Sequence, residues 1–274
     1  MDKNIPKVRV CVPYPNHGSI SPETQRSLEL LKQSKDFFVE IMEIQGSSIS
    51  FIRNIGVNKG SSEKVRQSGF EYDYYLSVDS DISFTPEHLL QLMKRNLDVV
   101  GAAYQYRAQP DLLVAGHFDN SEGVVRVEKF LTIDAMGLKE VDWIGAGFTL
   151  IKKDVLEAMD YPWYREKIVE YDDGSGEKSA IWVGEDVGFC LGARQKGFKV
   201  FCDCDCHVRH LVNAGAQNSN ASSLMNKGSY TIDEAAGLAF ELLDQVKGLV
   251  SGFHKGLKDV EGKLAGGELQ KNGR

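Results

Sequence analysis

From Val8 to about Cys204, short runs of β-branched and aromatic residues alternate with stretches whose apolar residues recur every three or four positions. That alternation admits little except helices layered on a mostly parallel sheet. Val8 to Val12 reads as a first strand, closed by the breakers Pro13-Tyr14-Pro15-Asn16-His17-Gly18. Pro22 opens a helix carrying Leu28, Leu30 and Leu31; Phe37 to Ile44 is a second strand; Ile49 to Ser68 is a helix. Tyr74 to Val78 is a buried strand that stops at Asp79-Ser80-Asp81, and a helix from about Pro86 leads to the strand Val99 to Ala103.

The helical period is lost from Tyr104 to Val141, where Leu112 to Ala115 and Val124 to Lys129 read as pieces of an antiparallel insertion. It returns with a strand at Gly147 to Ile151 and a helix at Lys153 to Met159. A charged, glycine-rich loop at Glu170 to Glu177, a helix at Asp186 to Lys196 and a strand from Lys199 to about Cys204 follow. The pattern divides the chain into an α/β domain over 1–212, a polar linker over 213–229 and a C-terminal helical segment over 230–274. In that segment Ala239, Leu242, Val246, Leu249, Phe253, Leu257, Val260 and Leu264 form one apolar stripe. Such a stripe would dock on its own domain or on a second copy in a homo-oligomer, or, with Lys247, Lys255, Lys258 and Lys263, rest peripherally on a membrane surface.

Composition narrows the classes further. With 42% hydrophobic and 26% charged residues the 274-residue chain can build an ordinary core. No apolar run reaches the ~18 residues of a membrane span, and Met1 to Pro6 lacks the apolar stretch of a signal peptide, so a cytoplasmic location is expected. A net charge of -7 disfavours nucleic acid as a partner. Five cysteines, three of them in Cys202-Asp203-Cys204-Asp205-Cys206, give no spaced disulfide framework and fit a reducing compartment.

Asp79-Ser80-Asp81 carries the strongest chemical signal. Two carboxylates at the carboxyl edge of a parallel sheet sit where open α/β proteins bind ligands, and crowded anions call for a cation. Oxygen ligands favour Mg²⁺ or Mn²⁺, completed by diphosphate oxygens. Taken alone the motif also describes a turn with solvated aspartates, but an EF-hand is excluded because its sixth and twelfth positions are Phe84 and Leu90. Gly184-Glu185-Asp186 opens a helix, where acidic residues complement the helix dipole; by itself it reads first as a cap, and its value rises in company. Gly145-Ala146-Gly147 is no dinucleotide fingerprint, since Leu150 stands at the third glycine.

In order along the chain, the strand with Val12-Pro13, Gly46-Ser47-Ser48-Ile49 leading to Arg53-Asn54, and Tyr75 to Asp81 form one half of an ordered set. Asp142-Trp143-Ile144-Gly145-Ala146-Gly147-Phe148, Gly184-Glu185-Asp186 and Val208-Arg209-His210-Leu211 complete it. The set resembles the GT-A-fold glycosyltransferases, particularly glycosyltransferase family 2, over roughly Val8 to Leu211. The resemblance implies a Rossmann-like, mostly parallel sheet with an antiparallel insertion, to which the C-terminal helical appendage is added. It implies a metal-dependent enzyme using Mn²⁺ or Mg²⁺ and a nucleotide-sugar donor, UDP- or GDP-linked.

By the same resemblance Asp79 and Asp81 belong to the metal and nucleotide motif, with Asp81 the direct ligand, Asp79 shared with the ribose, and His210 completing the metal shell. Pro13, Tyr14, Arg53 and Asn54 fall where the family holds the base and ribose-diphosphate. Asp186 matches the catalytic base, with Glu185 the fallback. The chemistry is coherent, because sugar transfer needs a neutralised leaving diphosphate and a carboxylate to deprotonate the acceptor hydroxyl. With Asp186 as base the attack is in line and inverting; retention would need no base there.

Trp143, Trp163, Tyr164 and Trp182 flank the motifs in sequence and offer flat faces to an acceptor, with Gly145 and Gly147 on the same side; core packing is the other reading. A glycan, a lipid-linked glycan, a protein or a small molecule would serve as acceptor. Two other functions fit the same aspartates: a Mg²⁺-dependent nucleotidyl or phosphoryl transferase, and a non-catalytic nucleotide- or glycan-binding module. On a strand the Cβ atoms of Cys202, Cys204 and Cys206 stand about 7 Å apart, which disfavours zinc and leaves buried small side chains.

Overall fold

A computed structural model of the chain describes residues 5–58, 68–119, 126–172 and 178–211. By backbone contacts the chain divides into Met1–Gln217 and Asn218–Arg274. The expected linker at 213–229 and helix at 230–274 lie outside the described residues, as do the oligomer and membrane contacts assigned to that helix.

The central sheet has seven strands in the order β2-β1-β3-β11-β5-β14-β9. They are β1 (Lys7–Pro15), β2 (Phe38–Gly46), β3 (Tyr74–Val78), β5 (Val99–Ala103), β9 (Leu138–Val141), β11 (Phe148–Lys152) and β14 (Val200–His207). β2, β1, β3, β5 and β14 run in one direction and β11 and β9 run against them, which is the Rossmann-like, mostly parallel sheet expected from the resemblance.

Strand alternation divides the core in two. Val8, Val10, Val12, Leu76 and Val78 turn toward helices α1 (Pro22–Gln33) and α3 (Pro86–Arg95), where Leu28, Leu31, Leu89 and Leu92 meet them. Cys11, Tyr75, Val99 and Ile151 turn to the other face, toward α2 (Ile49–Val57), α4 (Lys153–Ala158) and α5 (Glu185–Gln195). The helix starts are set locally. Ser21 accepts the Thr24 N–H with Pro22 in the first turn, and Ser48 accepts the Phe51 N–H.

The insertion is antiparallel, as expected, but differs in extent. β6 (Gln105–Tyr106), β7 (Gln109–Asp119), β8 (Arg126–Thr132) and β10 (Trp143–Ile144) make a small second sheet, with β7 pairing the other three. β9, read from the sequence as part of the insertion, instead pairs β14 at the edge of the main sheet. The expected Glu170 to Glu177 loop is also narrower: β12 (Lys167–Asp172) and β13 (Lys178–Val183) form a hairpin around it. Val169 and Ile181 of that hairpin pack on the core, a partner that charge and glycine content could not reveal.

Helix α2 is described to Val57, and the rest of the expected helix to Ser68 falls largely outside the described residues. A short ribbon of β4 (Ile82–Ser83) with β15 (Arg209–His210) closes the carboxyl edge of the sheet, pairing His210 with Ile82. No helix among the described residues is long and apolar enough to cross a membrane.

Candidate active site

Three parallel strands end at one cavity of about 360 Å³. β1 supplies Pro13 and Pro15, Asp79 to Asp81 follow β3 directly, and Tyr104 follows β5 directly. The start of α2 adds Ile49 and Arg53, the start of α5 adds Asp186, β15 adds His210, and the insertion closes the wall with Tyr106, Arg107 and Val114. Tyr14 does not line this cavity. It stands between Pro13 and Pro15 on β1, on the opposite face of an alternating strand.

Asp79 and Asp81 have different partners. Arg53, buried in the core, donates from Nη2 to Asp79 Oδ1 at 2.6 Å and from Nη1 to Ser77 Oγ at 2.5 Å and the Ala146 carbonyl at 3.2 Å. Its Nε lies 3.3 Å from Glu185 Oε1, close enough for an ion pair but without hydrogen-bond geometry. Burial works against the Arg53 charge, yet Asp79 and Glu185 outweigh it and hold the guanidinium protonated. Arg53 therefore clamps the end of β3 to α5, with both Nη groups hydrogen-bonded to protein and Nε facing Glu185. Asn54 is likewise spent on structure: its amide donates to the Ser50 and Tyr164 carbonyls and accepts the Tyr164 N–H.

Asp81 pairs with Arg107 through Oδ2 and lies 3.6 Å from His210 Nε2 through Oδ1. His210 Nδ1 is 2.9 Å from the Gln105 carbonyl, which can only accept, so Nδ1 carries the proton and the Nε2 lone pair faces the carboxylate. Burial lowers the His210 pKa, the Gln105 hydrogen bond opposes this, and Arg107 adds to the lowering, which favours that neutral form. Two acceptors facing each other across 3.6 Å leave an attractive position for a cation. Among the described residues no three His, Cys, Asp or Glu side chains converge on one cation position, because Asp79 is turned to Arg53. Asp81 and His210 could thus supply two protein ligands to a cation, whose shell a bound ligand would have to complete.

Asp186 lines the same cavity at the first turn of α5. Burial raises its pKa against the pull of Arg53, so this carboxyl holds its proton more tightly than an exposed aspartate. Glu185 is also raised by burial, but it faces Arg53 and is not part of the cavity wall.

The glycines of Gly145-Ala146-Gly147 support the site from behind. Asp79 N–H donates to the Gly147 carbonyl and Gly147 N–H to the Tyr104 hydroxyl. A Cβ on Gly147 would sit 2.7 Å from Tyr104 Cζ and 3.1 Å from Asp79 Oδ2. They are glycines because the chain passes directly under the tyrosine ring. Burial keeps the Tyr104 phenol far above its usual pKa and hence neutral, and its ring packs edge-on against His210.

The aromatic side chains separate. Trp163 is 1% exposed and donates its indole N–H to the Leu156 carbonyl, and Tyr164 stacks on Phe189, so both are core residues outside the cavity. Trp143 is buried against Phe130. Trp182 is 73% exposed, directly across the β12–β13 hairpin from Ile168, which is 63% exposed. Cys202 and Cys204 share one face with their sulfurs 3.9 Å apart, closer than backbone spacing implied. Cys206 has left that face across an irregularity in β14 and contacts His88; all five cysteines are buried and free.

Tyr104, Tyr106, Arg107 and Val114 were not identified from the sequence. Tyr104 carried a usable signal, since it follows a parallel strand as directly as Asp79 does.

No protein-family model matches the chain, and no curated protein sequence does either. Among solved structures, A197 from STIV is similar, at 15% identity and a TM-score of 0.46 over 76% of this chain and 95% of that one. GalNAc-T7, solved with UDP, GalNAc and Mn²⁺, is similar at 15% identity and a TM-score of 0.43 over 82% of this chain and 47% of its own. A Drosophila β1,4-galactosyltransferase 7 variant, solved with manganese, UDP-Gal and xylobiose, is similar at 12% identity and a TM-score of 0.37, over 84% and 79%. None of these reaches a TM-score of 0.5, and the reading that follows rests on the residues of the site.

Proposed function

We propose that the chain is a glycosyltransferase that moves a sugar from a nucleotide-sugar donor to an acceptor hydroxyl, with inversion. The observation that carries this reading is Asp186: a carboxylate of raised pKa that lines the same cavity as Asp81 and His210, at the carboxyl edge of a parallel sheet.

A divalent cation, Mn²⁺ or Mg²⁺, fits the Asp81 carboxylate and the His210 Nε2 lone pair. Bound there, it would supply neutralisation of the charge that develops on a leaving diphosphate. The apolar faces of Pro13, Pro15 and Ile49 suit a flat nucleotide base, and Arg53 acts through Asp79 and Glu185 to hold β3 and α5 in register. Asp186 takes the acceptor hydroxyl proton, and its raised pKa makes it a stronger base than an ordinary aspartate. Trp182, four residues before Asp186 and exposed with Ile168, suits the acceptor side.

The test is a panel of UDP- and GDP-sugars with Mn²⁺, scored for release of free nucleoside diphosphate. Release that disappears in Asp186→Asn, while nucleotide binding persists, is the expected outcome. Pyrophosphate release from a nucleoside triphosphate would replace this reading with nucleotidyl transfer. Binding without turnover by either protein would make the chain a binding module.

A further inference from the structure

Arg107 occupies an unusual position. It sits in the two-residue turn between β6 and β7, where hairpin pairing fixes the backbone on both sides. Its side chain is 51% exposed and pairs with Asp81 Oδ2. It also lines two cavities: the one that holds Asp186, and a second of about 860 Å³ bounded by the β1–α1 loop and by Arg209. Asp81, His210 and Arg107 are common to both, so the Arg107–Asp81 pair stands in the partition between them.

The two arginines of the first cavity differ in what they can do. Arg53 is buried and engaged by Asp79, Ser77, Ala146 and Glu185. Arg107 is long and half open to water, and an ion pair so exposed is cheap to break. Its guanidinium pairs with Asp81, the member of the Asp79-Ser80-Asp81 motif that Arg53 does not reach, on the carboxylate that also faces the His210 lone pair.

We propose that Arg107 is a placeholder cation. In the unliganded chain it occupies Asp81 and opposes entry of a bare metal ion; when the metal arrives with a nucleoside diphosphate, Arg107 leaves Asp81 and pairs with the phosphates. Metal and nucleotide then bind as a unit, and Arg107 is a positioning residue for the diphosphate. This rests on the reading of the cavity as a nucleotide-sugar site, but not on turnover.

Mn²⁺ alone, and UDP and GDP each with Mn²⁺, are titrated against the full chain and against Arg107→Gln and Arg107→Lys, by Mn²⁺ electron spin resonance and calorimetry. Arg107→Gln should bind Mn²⁺ alone several-fold more tightly than the unaltered chain. It should bind the preferred diphosphate with Mn²⁺ about tenfold more weakly, the scale of one lost charge-assisted contact. Arg107→Lys should fall between the two, retaining charge without the fork.

Equal or weaker Mn²⁺ binding by Arg107→Gln overturns the placeholder role, as does undiminished diphosphate affinity. Failure of every protein to bind Mn²⁺ and diphosphate overturns this proposal together with the site reading. The predicted shifts without any sugar transfer would sink only the transferase reading. Circular dichroism of each variant, altered on an exposed turn, excludes misfolding as the cause.

Discussion

Arg53 donates to Asp79 over 2.6 Å from a position buried in the core, while Arg107 pairs with Asp81, so the two carboxylates of the motif are divided between two arginines. The interior member holds α2 and α5 to the end of β3; the exposed member, Arg107, holds Asp81.

Removing the interior arginine should therefore cost stability as well as ligand binding. Arg53→Ala strands the Asp79 and Glu185 carboxylates and is expected to lower unfolding stability by about 3 kcal/mol, reduced to the extent that water reaches Asp79. Arg53→Lys should recover only part, since one ammonium cannot reproduce the fork. Urea unfolding measures both, and an unchanged midpoint for the alanine variant would falsify the clamp.

Asp186 makes a prediction about pH. Its folded pKa is raised, so its contribution to stability is complete below the unfolded value of ~3.9 and is lost as pH rises through the folded value. Asp186→Asn cannot ionise and should gain in Tm relative to the unaltered protein as pH rises above about 4, the unfolded value. If Asp186 is the base, kcat/KM for sugar transfer by the unaltered protein should rise with pH over the same range as the carboxyl loses its proton. A Tm difference independent of pH would remove the buried carboxylate from the account.

Substitution of Gly145 tests the packing under Tyr104. The added methyl of Gly145→Ala would press on the Tyr104 hydroxyl and sit 2.5 Å from Val114 Cγ1. A loss of about 1–3 kcal/mol is expected from overpacking. Nucleotide affinity should fall with it, because Tyr104 and Val114 both line the cavity. Thermal unfolding and diphosphate titration that both matched the unaltered chain would contradict the close approach.

Trp182→Ala, at a solvent-facing hairpin position, should change stability by less than about 0.5 kcal/mol. If the exposed face receives the acceptor, KM for the acceptor rises while that for the nucleotide sugar stays put. A rise confined to the nucleotide sugar would move Trp182 to the other side of the site.

Much of the frame is legible in the residues because it is set locally. Val8, Val10 and Val12 alternate to one face of β1, Leu28 and Leu31 follow the helical period, and Ser21-Pro22 and Ser48 mark helix starts. The end of β3 is equally plain, since Asp79 to Asp81 cannot continue an apolar strand, whereas β1 runs on through Pro13 to Pro15, beyond the Val12 end read from the sequence, because it stays paired with β2 as far as Gly46. Misreadings arose where the deciding partner is distant in sequence. Leu138 to Val141 pairs β14 some sixty positions later, and the charged segment near Glu170 holds a hairpin because Val169 and Ile181 find the core.

The order of strands and helices, the break at which β3 ends, and the presence of carboxylates there follow from spacing and residue type, which act over a few bonds. Which carboxylate meets which cation, which tryptophan stays in the core, and how Tyr104 comes to face His210 and Arg107 to face Asp81 were decided only when the chain had closed. Those contacts join residues tens of positions apart, and their directions depend on register and rotamer, which no short stretch of sequence carries.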